Sequence, residues 1–473
     1  MKRKIVMMIL MAALSISACG RETTESRKSA ESVESVELEK ESESGVVTSE
    51  KLAYKSGDVE TVELATDKED AFTNRDLEQE PELADAEYIT VTDGKDISIS
   101  SEGVYVLSGE ASEVTVTVEA GDEDKVQLVT DGLKISNTDS PCIYVKNADK
   151  VFITSVSDDN ELTVSGSFTA DGDTNTDAVI FSKDDLVLNG TGTVVIDSSD
   201  NGIAGKDDVK LTGGKLMISC KGSAIEAHDE ILIADADIVV SECNDGIHAE
   251  NDDDDTVGNI RIYGGNLNIT AVDDGIHATT AVTVDNGEIV LKAAEGIEGT
   301  QIQINGGTVD ITASDDGINA AKKSSALTPL FEMNGGDVSI AMGAGDTDGV
   351  DSNGDIVING GTISITGQST FDYDGNAEYN GGTIIENGKE TNAISNQMMG
   401  GRGGMRGMGK QGDFGENGEM PDFGGDGELP EMKEFEGGGK MHGRGNAEGM
   451  PGGGRMGGKR QMENEETKEG TEL

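Results

Sequence analysis

The residues best able to do chemistry recur in one short phrase. Asp245-Gly246-Ile247-His248-Ala249, Asp274-Gly275-Ile276-His277-Ala278 and Asp316-Gly317-Ile318-Asn319-Ala320 are its clearest copies, with looser ones around Ile203, Ile225, Ile297 and Val350. Two positions before the apolar residue stand Asn201, Ser223, Asp245, Asp274, Glu295, Asp316 and Asp348. One position after it stand Ala204, Glu226, His248, His277, Glu298, Asn319 and Asp351. If the apolar residue points inward, its neighbours build two outward columns rich in carboxylate and imidazole. Carboxylates stacked at the spacing of paired strands, about 4.8 Å, repel one another by about 1 kcal/mol in water and several-fold more near a low-dielectric surface. A counterion is therefore expected. Calcium suits the interval, because Ca–O bonds of about 2.3–2.6 Å let two such oxygens share one ion. The expected ligands are Asp245, Asp274, Glu295, Glu298, Asp316, Asp348 and Asp351, with Asp273, Asp315 and Asp346 beside the columns. The loop Asp252–Asp255 leaves the same edge and is expected to reach in. Taken singly, each Asp or Asn is explained as well by the shaping of a tight turn. His248 and His277 offer either a transition-metal site or a hydrogen-bonded ladder.

The elements that must position these columns are legible in a second repeat. Ile302-Gln303-Ile304-Asn305-Gly306-Gly307-Thr308-Val309-Asp310-Ile311-Thr312 reads as two short alternating strands around a Gly-Gly corner. The cassette returns at Ile260 to Ile269, Val282 to Leu291, Phe331 to Ile340 and Ile356 to Ile365, and more loosely at Val209 to Ile218 and Ile231 to Val240. The inward residues that flank the corner are always five apart, as in Ile262 and Leu267 or Ile358 and Ile363. A constant interval means a constant corner, and glycine supplies the positive φ it needs. The regular period is 21 or 22 residues, broken by the Asp252–Asp255 and Lys322–Pro329 insertions. Three short strands per period predict a parallel β-helix, a solenoid in which each turn closes on the next. At this period, roughly 300 residues make about fourteen coils. The Gly-Gly-X-Gly-X-Asp phrase of calcium-binding β-rolls is absent.

Composition agrees. Asp and Glu total 92 against 36 Lys and Arg, and the net charge of −56 repels nucleic acid and anionic membrane. There are 65 glycines and no Trp, which suits layers that each bury a few small side chains. Residues 1–18 read as a signal peptide: Lys2, Arg3 and Lys4 precede an apolar run from Ile5 to Ile16 that is too short to span a membrane. It ends Ile16-Ser17-Ala18-Cys19, which resembles a bacterial lipoprotein cleavage box and implies lipid on Cys19. Residues 19–85 are expected to be an acidic linker and 396–473 a disordered Gly/Met-rich tail, leaving 86–395 as the β domain. Of the remaining thiols, Cys220 and Cys243 lie at equivalent places in consecutive repeats, where they either bridge or stay as small buried thiols; Cys142 is odd.

The lipoprotein start, the Asn-Gly-Gly cassettes, the Asp-Asp-Gly-Ile-His-Ala phrases and the Gly/Met-rich tail together resemble the clostridial carbohydrate-binding lipoprotein family. The resemblance is densest over 240–320. It implies an all-β, right-handed parallel β-helix similar to that of pectate lyases, with disordered flanks and calcium held between coils. It also implies adhesion to plant cell-wall polysaccharide such as cellulose or polygalacturonate.

The expected function is thus calcium-dependent binding of an acidic or cellulosic polysaccharide by a monomer held outside the cell membrane through its lipid. A calcium bridge gives an acidic protein a hold on a uronate. Aromatic stacking on cellulose is less persuasive, because Tyr144, Phe181, Tyr263 and Tyr373 do not recur in register. Lyase chemistry needs a basic residue near the ion, yet Lys206, Arg261 and Lys292 are unrepeated and none falls in an acidic column. A hydrolase needs two isolated carboxylates, and no pair stands out. No catalysis is therefore expected. The alternative is a surface adhesin for a protein partner.

Overall fold

The computed structural model describes residues 68–251, 253–344 and 347–396. Among these the protein is all-β, with 34 strands and one helix, Lys68–Ala71. The strands join in one large, mostly parallel sheet. The antiparallel exception among named strands is the last pair, Thr383–Glu386 with Lys389–Thr391.

The pairing follows from the repeat. In the first strand of the cassette, Ile260, Val282, Ile302, Phe331 and Ile356 are successive register partners. In the second, Leu267, Ile289, Val309, Val338 and Ile363 align in the same way. In the Asp-Gly-Ile element, Ile247, Ile276, Ile297, Ile318, Val350 and Phe371 align. Each strand therefore lies between its counterparts one repeat earlier and one repeat later. All of these side chains are buried in one continuous apolar cluster, each contributing about 1.5–3 kcal/mol.

The corners form as their residues require. The second glycine of the cassette has φ of 81° at Gly307, 79° at Gly336 and 78° at Gly361, a region that side chains with a Cβ rarely enter. The asparagine before it has its own task. Asn305 donates to Asp285, Asn334 to Asn305, Asn359 to Asn334 and Asn380 to Asn359, at 2.8, 2.9, 2.8 and 2.9 Å. This amide ladder pins one corner to the next. The glycine of the Asp-Gly-Ile phrase is needed for close approach. A Cβ on Gly246, Gly275 or Gly296 would sit 2.3, 2.6 or 2.3 Å from the carbonyl oxygen of the glycine one repeat on.

Three details differ from the sequence reading or go beyond it. Strands Asp274–Val284 and Glu295–Ile304 run unbroken from the Asp-Gly-Ile element into the next cassette, where separate short strands were expected. Cys220 and Cys243 form a disulfide across 4.7 Å between Cα atoms, and Cys142 is free and buried. The end of the stretch expected to be linker packs on the sheet. Phe72 meets Tyr263 edge to face at 5.4 Å, and the Arg75 guanidinium lies 4.4 Å over the Phe152 ring. Asp76 is buried, 3.6 Å from Lys150 Nζ. Gln79 accepts from Gly190 N at 2.9 Å and donates to Thr212 O at 3.0 Å. Packed structure thus begins by Lys68, ahead of the expected boundary at 86.

The expected signal peptide, Cys19, the linker before Lys68 and the tail beyond 396 lie outside the described residues. Among the described residues no helix is long and apolar enough to cross a membrane.

Candidate cation and glycan site

The two outward columns are real rows of the sheet. His248 pairs with His277, His277 with Glu298, Glu298 with Asn319, Asn319 with Asp351, and Asp351 with Asp372. In the other row Ser223 pairs with Asp245, Asp274 with Glu295, and Asp348 with Ser369. Here the side chains also close the turn. Asn201 Oδ1 accepts from Ser223 N at 2.7 Å, Asp245 Oδ1 from Asp274 N at 3.2 Å, and Asp316 Oδ1 from Asp348 N at 3.0 Å. In Asp245 and Asp316 the other carboxylate oxygen is not taken up by these backbone bonds.

The columns divide into two electrostatic stretches. In the first, His277 Nδ1 lies 2.7 Å from Asp274 Oδ2 and 2.8 Å from Glu298 Oε2, while Lys323 Nζ lies 2.7 Å from Glu298. Burial works against the His277 charge, but the bonds to Asp274 and Glu298 outweigh it and push its pKa up to about 9. Burial works against ionised Glu298 too, yet His277 and Lys323 hold it below its ordinary value. Lys323, which comes from an insertion with no repeat, is the basic group that the sequence did not place here.

In the second stretch, acids face acids. Burial, then the charges of Asp351, Asp315 and Asp348, raise Asp316 to about 7. Burial and the charges of Asp372, Asp348 and Asp374 raise Asp351 to about 6. Glu295 sits at the join. Burial raises it to about 7, although Asn319 Nδ2 donates to it at 2.9 Å. Ser369 Oγ, Thr347 Oγ1 and Asn319 Oδ1 are buried there without a hydrogen-bond partner. Buried polar atoms seldom go unpaired. This all-oxygen donor set suits a hard divalent cation.

Of the other expected ligands, Asp273 and Asp315 are exposed beside the columns, and Asp346 is outside the described residues. The acidic loop does not turn into the columns where it is described. Asp255 Oδ2 accepts from Ser325 N at 2.8 Å, and Asp254 caps Thr256. The two insertions hold each other instead.

Alongside the acids runs an open groove of about 420 Å³ floored by Ala271, Ala293, Ala313 and Met342, with Val272 and Lys292 on its margin. Val272 is 71% exposed. The groove is bounded by the residues that immediately precede Asp273, Glu295 and Asp315.

Two rows escaped the sequence reading. Lys146, Lys183, Lys206 and His228 stack in successive repeats, as their backbone bonds show: Lys183 N to Val145 O, Lys206 N to Ser182 O, and His228 N to Gly205 O. Their intervals of 37, 23 and 22 residues hid them. On another edge, Asp185, Asp208 and Glu230 precede the aligned residues Leu186, Val209 and Ile231. Burial and neighbouring acids raise Asp208 to about 6, and burial with Asp208 raises Glu230 to about 7.

Fold and site thus define an all-β protein of in-register repeats with carboxylate columns beside a shallow groove. The chain belongs to the family of carbohydrate-binding domain-containing proteins, whose sequence model matches residues 93–348 and 293–397. It is similar to a carbohydrate-binding domain-containing protein of Acetivibrio thermocellus, 32% identical over 199 residues, which are 41% of this chain and 70% of that protein. It is also similar to a solved structure described as a polysaccharide lyase-like protein from C. thermocellum, gadolinium derivative. That match has 20% identity and a TM-score of 0.29, covering 63% of this chain and 96% of the other.

Proposed function

We propose that this protein is a non-catalytic surface receptor for polysaccharide. In this reading its repeats wind as a right-handed parallel β-helix, and lipid on Cys19 anchors it outside the cell membrane as a monomer. Calcium between repeats ties it to acidic sugar. The observation that carries the reading is the second stretch of the columns. Asp316, Asp348 and Asp351 crowd together with buried, unpaired oxygens, and Ser314, two residues before Asp316, lines the open groove. These residues, with Asp372 and Ser369, would hold the ion. It would supply a positive charge that bridges protein carboxylate to uronate. Asp274 and Glu298 fit that role less well, because His277 and Lys323 already neutralise them.

The basic group nearest the columns supports binding over lyase chemistry. The bond to Glu298 outweighs burial and raises Lys323 above its ordinary value, so it keeps its proton where a base would have to lose it. The family match supports carbohydrate as the partner.

The test is binding of the full chain to polygalacturonate and to cellulose, with calcium and with chelator, while the ultraviolet absorbance of unsaturated products is followed. Binding to polygalacturonate that needs calcium and releases no product is expected. Binding unchanged by chelator would remove the calcium bridge. Failure on every glycan tried would favour a protein partner.

A further inference from the structure

The imidazoles of His248 and His277 lie in adjacent repeats with ring centroids 4.6 Å apart. Glu250, just past the end of the first strand, brings Oε2 to 3.1 Å from His248 Nε2. One ligand atom from each of His248, Glu250 and His277 falls within 4.8 Å of the other two. Small side-chain adjustments close such a set on one ion with bonds of about 2.0–2.2 Å.

A separate observation concerns the Nδ1 nitrogens of the two rings. His277 Nδ1 is held at 2.7 Å by Asp274 and 2.8 Å by Glu298, all three residues being buried. His248 Nδ1 faces Asp245 at 3.7 Å and Ser223 Oγ at 3.4 Å. Both histidines thus have a carboxylate three residues earlier against the same ring nitrogen. A carboxylate on one imidazole nitrogen orients the ring and strengthens the other nitrogen as a ligand. With Nδ1 engaged, Nε2 is the donor left to each ring. The Asp-Gly-Ile-His phrase carries this device twice, once per repeat.

We infer that His248, Glu250 and His277 form a transition-metal site of the two-histidine, one-carboxylate kind. It takes zinc or a neighbouring divalent ion and is distinct from the all-oxygen stretch around Asp316 and Asp351. Imidazole donors select such ions over calcium. His248 and Glu250 lie toward solvent, which leaves the ion a path in and open coordination positions. A bound ion clips two consecutive repeats together.

The test is titration of the full chain with Co²⁺ and Zn²⁺ in calcium-containing buffer, by visible absorption and calorimetry. One equivalent of Zn²⁺ displacing Co²⁺ is expected. His248→Ala should weaken binding by at least about tenfold, and Glu250→Gln, at an exposed position, should also weaken it. His442→Ala, in the tail, should change nothing. No saturable Co²⁺ or Zn²⁺ binding would overturn the site. So would unchanged affinity in Glu250→Gln and in folded His248→Ala, or loss of binding in His442→Ala. None of these outcomes depends on glycan binding.

Discussion

The same two columns behave differently along their length. Around His277, buried acids are cancelled: Asp274, His277, Glu298 and Lys323 alternate in sign and sit within 2.8 Å of their partners. Around Asp316 and Asp351 the register is kept, but the charged neighbours are all acids. A buried charge is tolerated only when it is paired. The first stretch carries counterions for Asp274 and Glu298 in the chain, and the carboxylates of the second raise one another's pKa. The side chain at a given row separates a neutralised stretch from an acidic one.

The largest expected effect comes from removing the internal counterion. His277→Ala leaves Asp274 and Glu298 buried and poorly paired, at a cost of about 3–5 kcal/mol. Urea unfolding of metal-free protein reads it, and a loss under about 1 kcal/mol would erase the contrast between the stretches. Next comes the external ion. Calcium at about a hundred times its dissociation constant should stabilise the protein by about 2.7 kcal/mol. Asp316→Asn with Asp351→Asn should abolish that gain, whereas Asp245→Asn should leave most of it. Equal losses in the two variants would place the ion elsewhere.

Lys323→Gln is a milder cut in the first stretch. It leaves Glu298 with His277 and the Asn319 amide, so a loss of about 1–2 kcal/mol is expected by the same unfolding measurement. The smallest effect concerns the edge that carries Glu230. Its folded pKa of about 7 lies above the ordinary 4.5. The penalty is absent below the ordinary value, grows as pH rises between the two, and is complete above about 7. Glu230→Gln should therefore stabilise the protein at pH 8 by on the order of 1 kcal/mol and not at pH 4. Equal stabilisation at both pH values would show that ionisation is not the cause.

Much of this was legible in advance. Ile247, Ile276 and Ile297 align as their spacing predicts, because one inward side chain per strand fixes the register of all its neighbours. The columns beside them follow by alternation. The Lys146–Lys183–Lys206 row was not legible, because loops of unequal length separate its members. Lys323 was not legible either, since it reaches Glu298 from an insertion that belongs to no repeat. Nor was the docking of Phe72 and Gln79, where a polar stretch of low hydrophobicity finds complementary partners more than a hundred residues away.

What the sequence by itself determined is the period, the corners, the buried rows and the two columns. Each rests on local rules: glycine's conformational reach, the alternation of a strand and the burial of Ile and Val. Only the tertiary structure decided which acid meets which charge. Ion pairing acts over a few ångströms through space, so a lysine from a loop or a histidine one repeat away changes the chemistry of a carboxylate without leaving any mark in the residues beside it.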